Sequence, residues 1–214
     1  MSLHEVWTLF TTQAKATPML EWIAITAAVA EVLFARANKV LLYPAGLIST
    51  LIYTWIFTRP ATGLYADAIL NVYYFIMSIY GWVLWGRRDK GQQLQITRVS
   101  SKEWVLVIAF ALAGWAALYL LLTQLFIYLP GYTPSNIAVW DAFISATAWV
   151  GMWLLAKRKV ENWLLLNISN IVAIPIYVNK SMPFTAALTL FLFIVATFGY
   201  FQWKKQAQPS LPNA

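Results

Sequence analysis

Apolar residues run through this chain in long blocks, and polar residues are confined to the gaps and to narrow stripes inside the blocks. Seven blocks cover roughly 19–35, 40–57, 65–85, 103–127, 137–156, 162–178 and 184–203. Each is about 17–25 residues long, the length that a bilayer core requires. The pattern predicts an all-α membrane protein with seven transmembrane helices. Ahead of them, residues 4–17 place Val6, Trp7, Phe10 and Ala14 on one face of a short helix that stops at Pro18. Residues 1–18 are therefore expected to lie on the membrane interface. The tail, 204–214, is polar and is expected to be disordered.

The blocks also repeat. The third ends YGWVLWGRR (80–88) and the seventh FGYFQWKK (198–205), so Gly81 matches Gly199 and Trp85 matches Trp203. The second begins NKVLLYPAGLISTLIY (38–53) and the sixth NWLLLNISNIVAIPIY (162–177), which pairs Asn38 with Asn162 and Tyr53 with Tyr177. Two matches in the same order predict a parallel duplication, 3+1+3. A first three-helix bundle (19–85) and a second (137–203) are joined by an inverting linker helix (103–127). Such a plan places a substrate site between the halves, near the midplane.

Several polar residues recur on helical faces inside the blocks. Trp163, Asn167, Asn170, Ile174 and Tyr177 follow at steps of four, three, four and three and form one stripe. Asn71, Tyr74, Ser78 and Trp82 form another, and Asp141, Ser145, Ala148 and Met152 a third. Gln124 lies near the outer end of the linker helix. Amides can serve as helix–helix glue, each worth about 0.6 kcal/mol. Stripes that mix amides with aromatics suit a pocket for a flat, polar, cationic molecule instead. Trp163 and Tyr74 are then candidates for stacking on a ring, and Asn167, Asn170 and Asn71 for reading its polar edge. Asp141 either balances a positive charge or is an interface carboxylate near Lys180. Glu31 is expected to pair with Arg36 or Lys39. Trp163, which opens its block, fits an interface belt as well as a pocket.

Composition narrows the classes. The chain has 214 residues, of which 61% are hydrophobic and only 11% charged, against about a quarter charged in soluble domains. It has no cysteine and one histidine, His4, outside the blocks. That removes disulfides, thiolate metal sites and Cys nucleophiles, and no cofactor or metal is expected. The net charge of +7 does not point to nucleic acid, because the basic residues sit in short loops. Twelve of them (Arg36, Lys39, Arg87, Arg88, Lys90, Arg98, Lys102, Lys157, Arg158, Lys159, Lys204, Lys205) fall on one side and three (Lys15, Arg59, Lys180) on the other. The positive-inside rule then puts the C-terminus in the cytoplasm and the N-terminus outside. No cleavable signal peptide is expected, since the first residues lack a basic start and a compact apolar core.

YGWVLW (80–85), NVYY (71–74), the basic loop before ENW (161–163) and NIVAIPIY (170–177), in this order, resemble the PnuC family of bacterial vitamin transporters. The resemblance covers nearly the whole chain. It implies a fold similar to the SWEET sugar transporters and facilitated diffusion across the bacterial inner membrane. It also implies a homotrimer, and a cytoplasmic kinase that traps the vitamin by phosphorylation. The nicotinamide riboside branch typically has Trp-x-x-Trp here, whereas Trp163 is followed by Leu166 and then Asn167. That arrangement is more similar to a thiamine-carrying relative, because an Asn amide offers an in-plane donor–acceptor pair to an aminopyrimidine. Thiamine is thus the expected substrate and nicotinamide riboside the alternative. An intramembrane enzyme lacks a nucleophile–base spacing. A non-transporting sensor or binding subunit is the rival that a pocket alone does not exclude.

Overall fold

The computed structural model describes residues 3–59, 65–86, 88–89, 92–129 and 131–207. Its elements are α1 (Leu3–Ala16), α2 (Met19–Arg36), α3 (Leu42–Phe57), α4 (Tyr65–Gly86), α5 (Ser101–Leu120), α6 (Ala138–Ala156), α7 (Asn162–Asn179) and α8 (Pro183–Gln206). Two-residue strands at Arg88–Asp89 and Gln92–Gln93 form a small antiparallel hairpin between α4 and α5. α5 starts where a capping box says it must. The Ser100 hydroxyl accepts from the Glu103 amide, and the Glu103 carboxylate accepts from the Ser100 amide. It ends in a wide π-type turn (Leu121–Leu125). The expected tail begins late, because α8 continues through Lys204 and Lys205 to Gln206. Residues 208–214, with Arg87 and Lys90 of the basic loop, lie outside the described residues.

Length and composition qualify fewer spans than the seven expected. Among the described residues, α4, α5 with its continuation to Tyr128, α6 and α8 are long and apolar enough to cross a membrane. α1 and α2, bent by 106°, add a fifth if taken together. α3 is apolar but has only 16 residues. α7 dilutes its hydropathy with Asn162, Asn167, Ser169, Asn170 and Pro175.

Packing closes α2, α3, α4, α6, α7 and α8 into a ring, with α5 against α6 and α1 against α8. α3 lies between α2 and α4, and α7 between α6 and α8. The two triples touch where α4 meets α6 and where α2 meets α8. α1 crosses the end opposite the basic loops. There the Gln13 amide donates to the Ser181 carbonyl at 2.9 Å, and Phe10 packs on Phe184 at 5.5 Å.

The turns after α2 and α6 are built alike, and they correct the register read from the sequence. Asn38 (φ 54°) and Arg158 (φ 51°) both adopt the left-handed conformation. Asn38 N–H donates to the Ala35 carbonyl and Lys39 N–H to Phe34; likewise Arg158 N–H donates to Leu155 and Lys159 N–H to Leu154. Both are Schellman caps. Asn38 therefore corresponds to Arg158, not Asn162, and Tyr43 to Trp163. The sequence match at Asn38/Asn162 and Tyr53/Tyr177 was four residues out.

With that register, contacts at the basic end obey a twofold pattern. Tyr43 lies against Gly81, and Trp163 against Gly199. Trp85 meets Tyr43 edge-to-face at 5.2 Å, and Trp203 meets Trp163 edge-to-face at 5.6 Å. The Trp85 indole then donates across the ring to the Ala156 carbonyl at 3.0 Å. The Trp203 indole donates the other way, to Ala35 at 3.1 Å. All four rings are buried. Arg158 covers the cluster, its guanidinium 3.9 Å from the Trp85 ring centre and bonded to the Leu94 carbonyl. Burial lowers the pKa of this guanidinium from the ordinary arginine value.

A methyl added at Gly199 would come within 2.8 Å of the Trp163 ring. Gly199→Val should therefore cost about 1–3 kcal/mol, as overpacking of a closed core does. It should lower the apparent Tm in detergent, and Trp163→Leu in the same chain should restore part of the loss.

Candidate functional site

Each expected site residue now has a place. Trp163 is buried, with 1% of its surface exposed, and its ring is packing between Gly199 and Trp203. Its matched position, Tyr43, does the same work in the first triple, so Trp163 belongs to the framework at the basic end. Its indole N–H has no acceptor among the described residues. Asn167 donates its amide N–H to the Thr197 hydroxyl at 3.0 Å, which leaves its buried oxygen without a donor. Asn71 turns its amide back onto the Asp67 carbonyl of its own helix at 2.8 Å. Asn170, Tyr74, Tyr177, Asp141 and Ser145 are half-buried. Gln124 is exposed in the π-type turn at the end of α5, away from the ring, and Trp82 is 43% exposed on the outside of α4.

Three of these residues converge. Tyr74 of the first triple interacts electrostatically with Tyr177 of the second, and Tyr177 with Asp141. A residue that the stripes missed joins them. Asp67, one turn before Asn71 on the same face of α4, interacts with Tyr74, Tyr177 and Asp141. Lys180 also acts on Asp67. The signal for Asp67 was in the sequence, since the step from Asp67 to Asn71 extends the stripe by four.

Other polar groups are glue. Tyr73 stacks on Trp149 at 4.9 Å, and its hydroxyl donates to the Trp149 carbonyl at 2.9 Å, joining α4 to α6. The Ser169 hydroxyl donates to the Ile144 carbonyl at 3.1 Å, joining α7 to α6. Glu161 accepts from the Val99 amide at 2.7 Å and pairs with Arg98 at 3.4 Å, which ties the α4–α5 connection to the start of α7.

A ring of apolar helices with acids and phenols of both triples in electrostatic reach of one another suits a membrane carrier. The chain belongs to the nicotinamide mononucleotide transporter family, whose model matches residues 18–205. It is a PnuC-type multi-pass membrane transporter and not an enzyme. It is 24% identical over 211 residues to the nicotinamide riboside transporter PnuC of Escherichia coli (strain K12), covering 88% of this chain and 87% of that one. It is 23% identical over 201 residues to the nicotinamide riboside transporter PnuC of Neisseria mucosa, covering 86% and 72%. The fold is similar to that in a crystal structure of the vitamin B3 transporter PnuC. The TM-score is 0.68 with 20% identity, over 96% of this chain and 92% of that chain.

The expectation of thiamine finds no support here. The relatives are named for nicotinamide riboside.

The Asn167 amide keeps an unpartnered oxygen among the described residues, and its second N–H adds a donor. Asn167→Leu should weaken substrate binding by about five-fold or more, the worth of one buried hydrogen bond. Titration in detergent checks this; unchanged affinity in a folded variant assigns Asn167 to packing with Thr197.

Proposed function

We propose that the protein carries a flat cationic nucleoside of the nicotinamide riboside type across the bacterial inner membrane by facilitated diffusion. The observation that carries this reading is the convergence of Asp67, Asp141, Tyr74 and Tyr177 from both triples. Carboxylates and phenols suit a positively charged ring with hydroxyl groups, and amide oxygens suit its donors. Relatives named for that nucleoside support the same substrate.

In this reading the ring of six helices works as a 3+1+3 parallel duplication similar to the SWEET plan, with α5 as the linker and access alternating as one triple rocks on the other. The twelve-to-three division of Lys and Arg places the basic end in the cytoplasm and the N-terminus outside. Three chains form a homotrimer. A cytoplasmic kinase phosphorylates the arriving nucleoside and so keeps the gradient inward.

Purified protein in liposomes should equilibrate labelled nicotinamide riboside faster than empty vesicles do, without accumulating it above the outside concentration. Equal rates with and without protein sink the transporter mechanism, and equilibration of thiamine alone reverses the choice of substrate. Because the chain has no cysteine, single cysteines introduced at Lys15 and Lys204 report orientation cleanly. Only the first should react with an impermeant thiol reagent applied outside.

A further inference from the structure

Glu31 is not used by anything described above. It lies on α2 within the span, facing α3 and α4. A methyl added at Gly46 would sit 2.7 Å from its Oε1 and 3.0 Å from the Ser78 hydroxyl, so Gly46 makes the room in which the two groups meet. Ser78 and Tyr43 are buried, with 0% and 1% of their surface exposed, and neither hydroxyl has a hydrogen-bond partner among the described residues. Glu31 also interacts electrostatically with Tyr43 and Tyr74. Its expected partners are elsewhere. Arg36 is bonded to Gln202 at 3.3 Å and lies 5.4 Å from the Phe198 ring centre. Lys39 forms no ion pair among the described residues. The Glu31 carboxylate has no partner of opposite charge among the described residues.

The second triple shows that the framework does not require this cluster. In the register set by the turns and by Gly81/Gly199, Glu31 corresponds to Gly151, Gly46 to Leu166, Ser78 to Ala196 and Tyr43 to Trp163. The same place is filled there by hydrocarbon, with Leu166 lying 2.9 Å from a methyl added at Gly151. One half thus closes with a leucine, and the other holds a carboxylate and two unpartnered hydroxyls. Unpaired carboxylates inside a membrane protein are expensive and mark ligand sites.

We infer that Glu31, walled by the Ser78 and Tyr43 hydroxyls, is the subsite that takes the positive charge of the transported nucleoside. The inference rests on the substrate class proposed above. Asp67, Asn71, Tyr74 and Ser78 lie on one face of α4 at steps of four, three and four and lead to this subsite from the end opposite the basic loops. The arrangement is one-sided, so the cation is held by the first triple while the second triple supplies hydrogen bonds from Asn167.

The discriminating measurement is binding of two forms of one ligand in detergent. Nicotinamide riboside is a permanent cation; its dihydro form has the same heavy atoms and no charge. Glu31→Gln should weaken the cation by about ten-fold or more, the expected cost of losing a desolvated charge partner, and leave the dihydro form within about two-fold. Equal losses for both forms, or none for either, overturn the inference. The double variant Glu31→Gly/Gly46→Leu copies the packing of Gly151 and Leu166 and guards against misfolding. It should keep the wild-type Tm and lose the cation; cation binding at wild-type affinity in it also overturns the inference. If the wild-type protein binds neither form, the substrate proposal fails along with this one. If it binds the cation and Glu31→Gln changes nothing, only the subsite fails.

Discussion

Two buried indoles carry N–H groups that must find acceptors, and in this ring each finds one in the opposite triple. The Trp85 N–H reaches the Ala156 carbonyl, and the Trp203 N–H reaches Ala35. A helix leaves its last carbonyls without partners inside the helix, so the ends of α2 and α6 are natural acceptors. Leaving a buried donor unmet costs about 1–3 kcal/mol. The crossed pair therefore ties the two triples together at the basic end, on rings that Gly81 and Gly199 allow to approach. At the far end the triples meet through an aromatic contact, Trp22 of α2 edge-to-face on Phe184 of α8 at 5.5 Å. There Asp67 and Asp141 sit within each other's field, and like charges favour separation.

This asymmetry matters for a carrier. One end of the interface between the triples is closed by aromatic packing and reciprocal hydrogen bonds. The other carries the acids and phenols, together with the Trp22–Phe184 contact between α2 and α8. Tyr73 on Trp149 forms a middle contact between α4 and α6, where stacking and one hydrogen bond act together. An orderly gradient results, from acids and phenols at the far end, through Tyr74 and Glu31, to the sealed cluster under Arg158.

The polar residues of the spans divide by where their donors go. Ser169 and Asn71 are satisfied by helix carbonyls, and for them the role of glue or local cap is sufficient. Asn167 is split, one N–H bonded to Thr197 and its oxygen without a donor among the described residues. Ser78, Tyr43 and Trp163 keep unpartnered polar atoms in buried surroundings. A stripe on a helical wheel does not separate these cases, because it records direction from an axis and not the distance to the next helix.

The sequence made legible the helical membrane class, the order of the apolar blocks and the matching Gly and Trp at the ends of two of them. These depend on local period and length, which are properties of adjacent residues. The pair Gly81/Gly199 and the pair Trp85/Trp203 were legible for the same reason. The register between halves was not. It is set by left-handed turn residues, and Asn38 and Arg158 share a backbone conformation but no side-chain chemistry. Nor was the role of Trp163, which looked like a stacking platform until Gly199 on another helix was seen to receive it. Glu31 read as an ion-pair partner of Arg36 or Lys39 along the chain, and Asp67 was not singled out at all. Only tertiary packing brought Asp67 to Asp141 and left Glu31 facing Ser78 across Gly46, because both depend on which helices lie side by side.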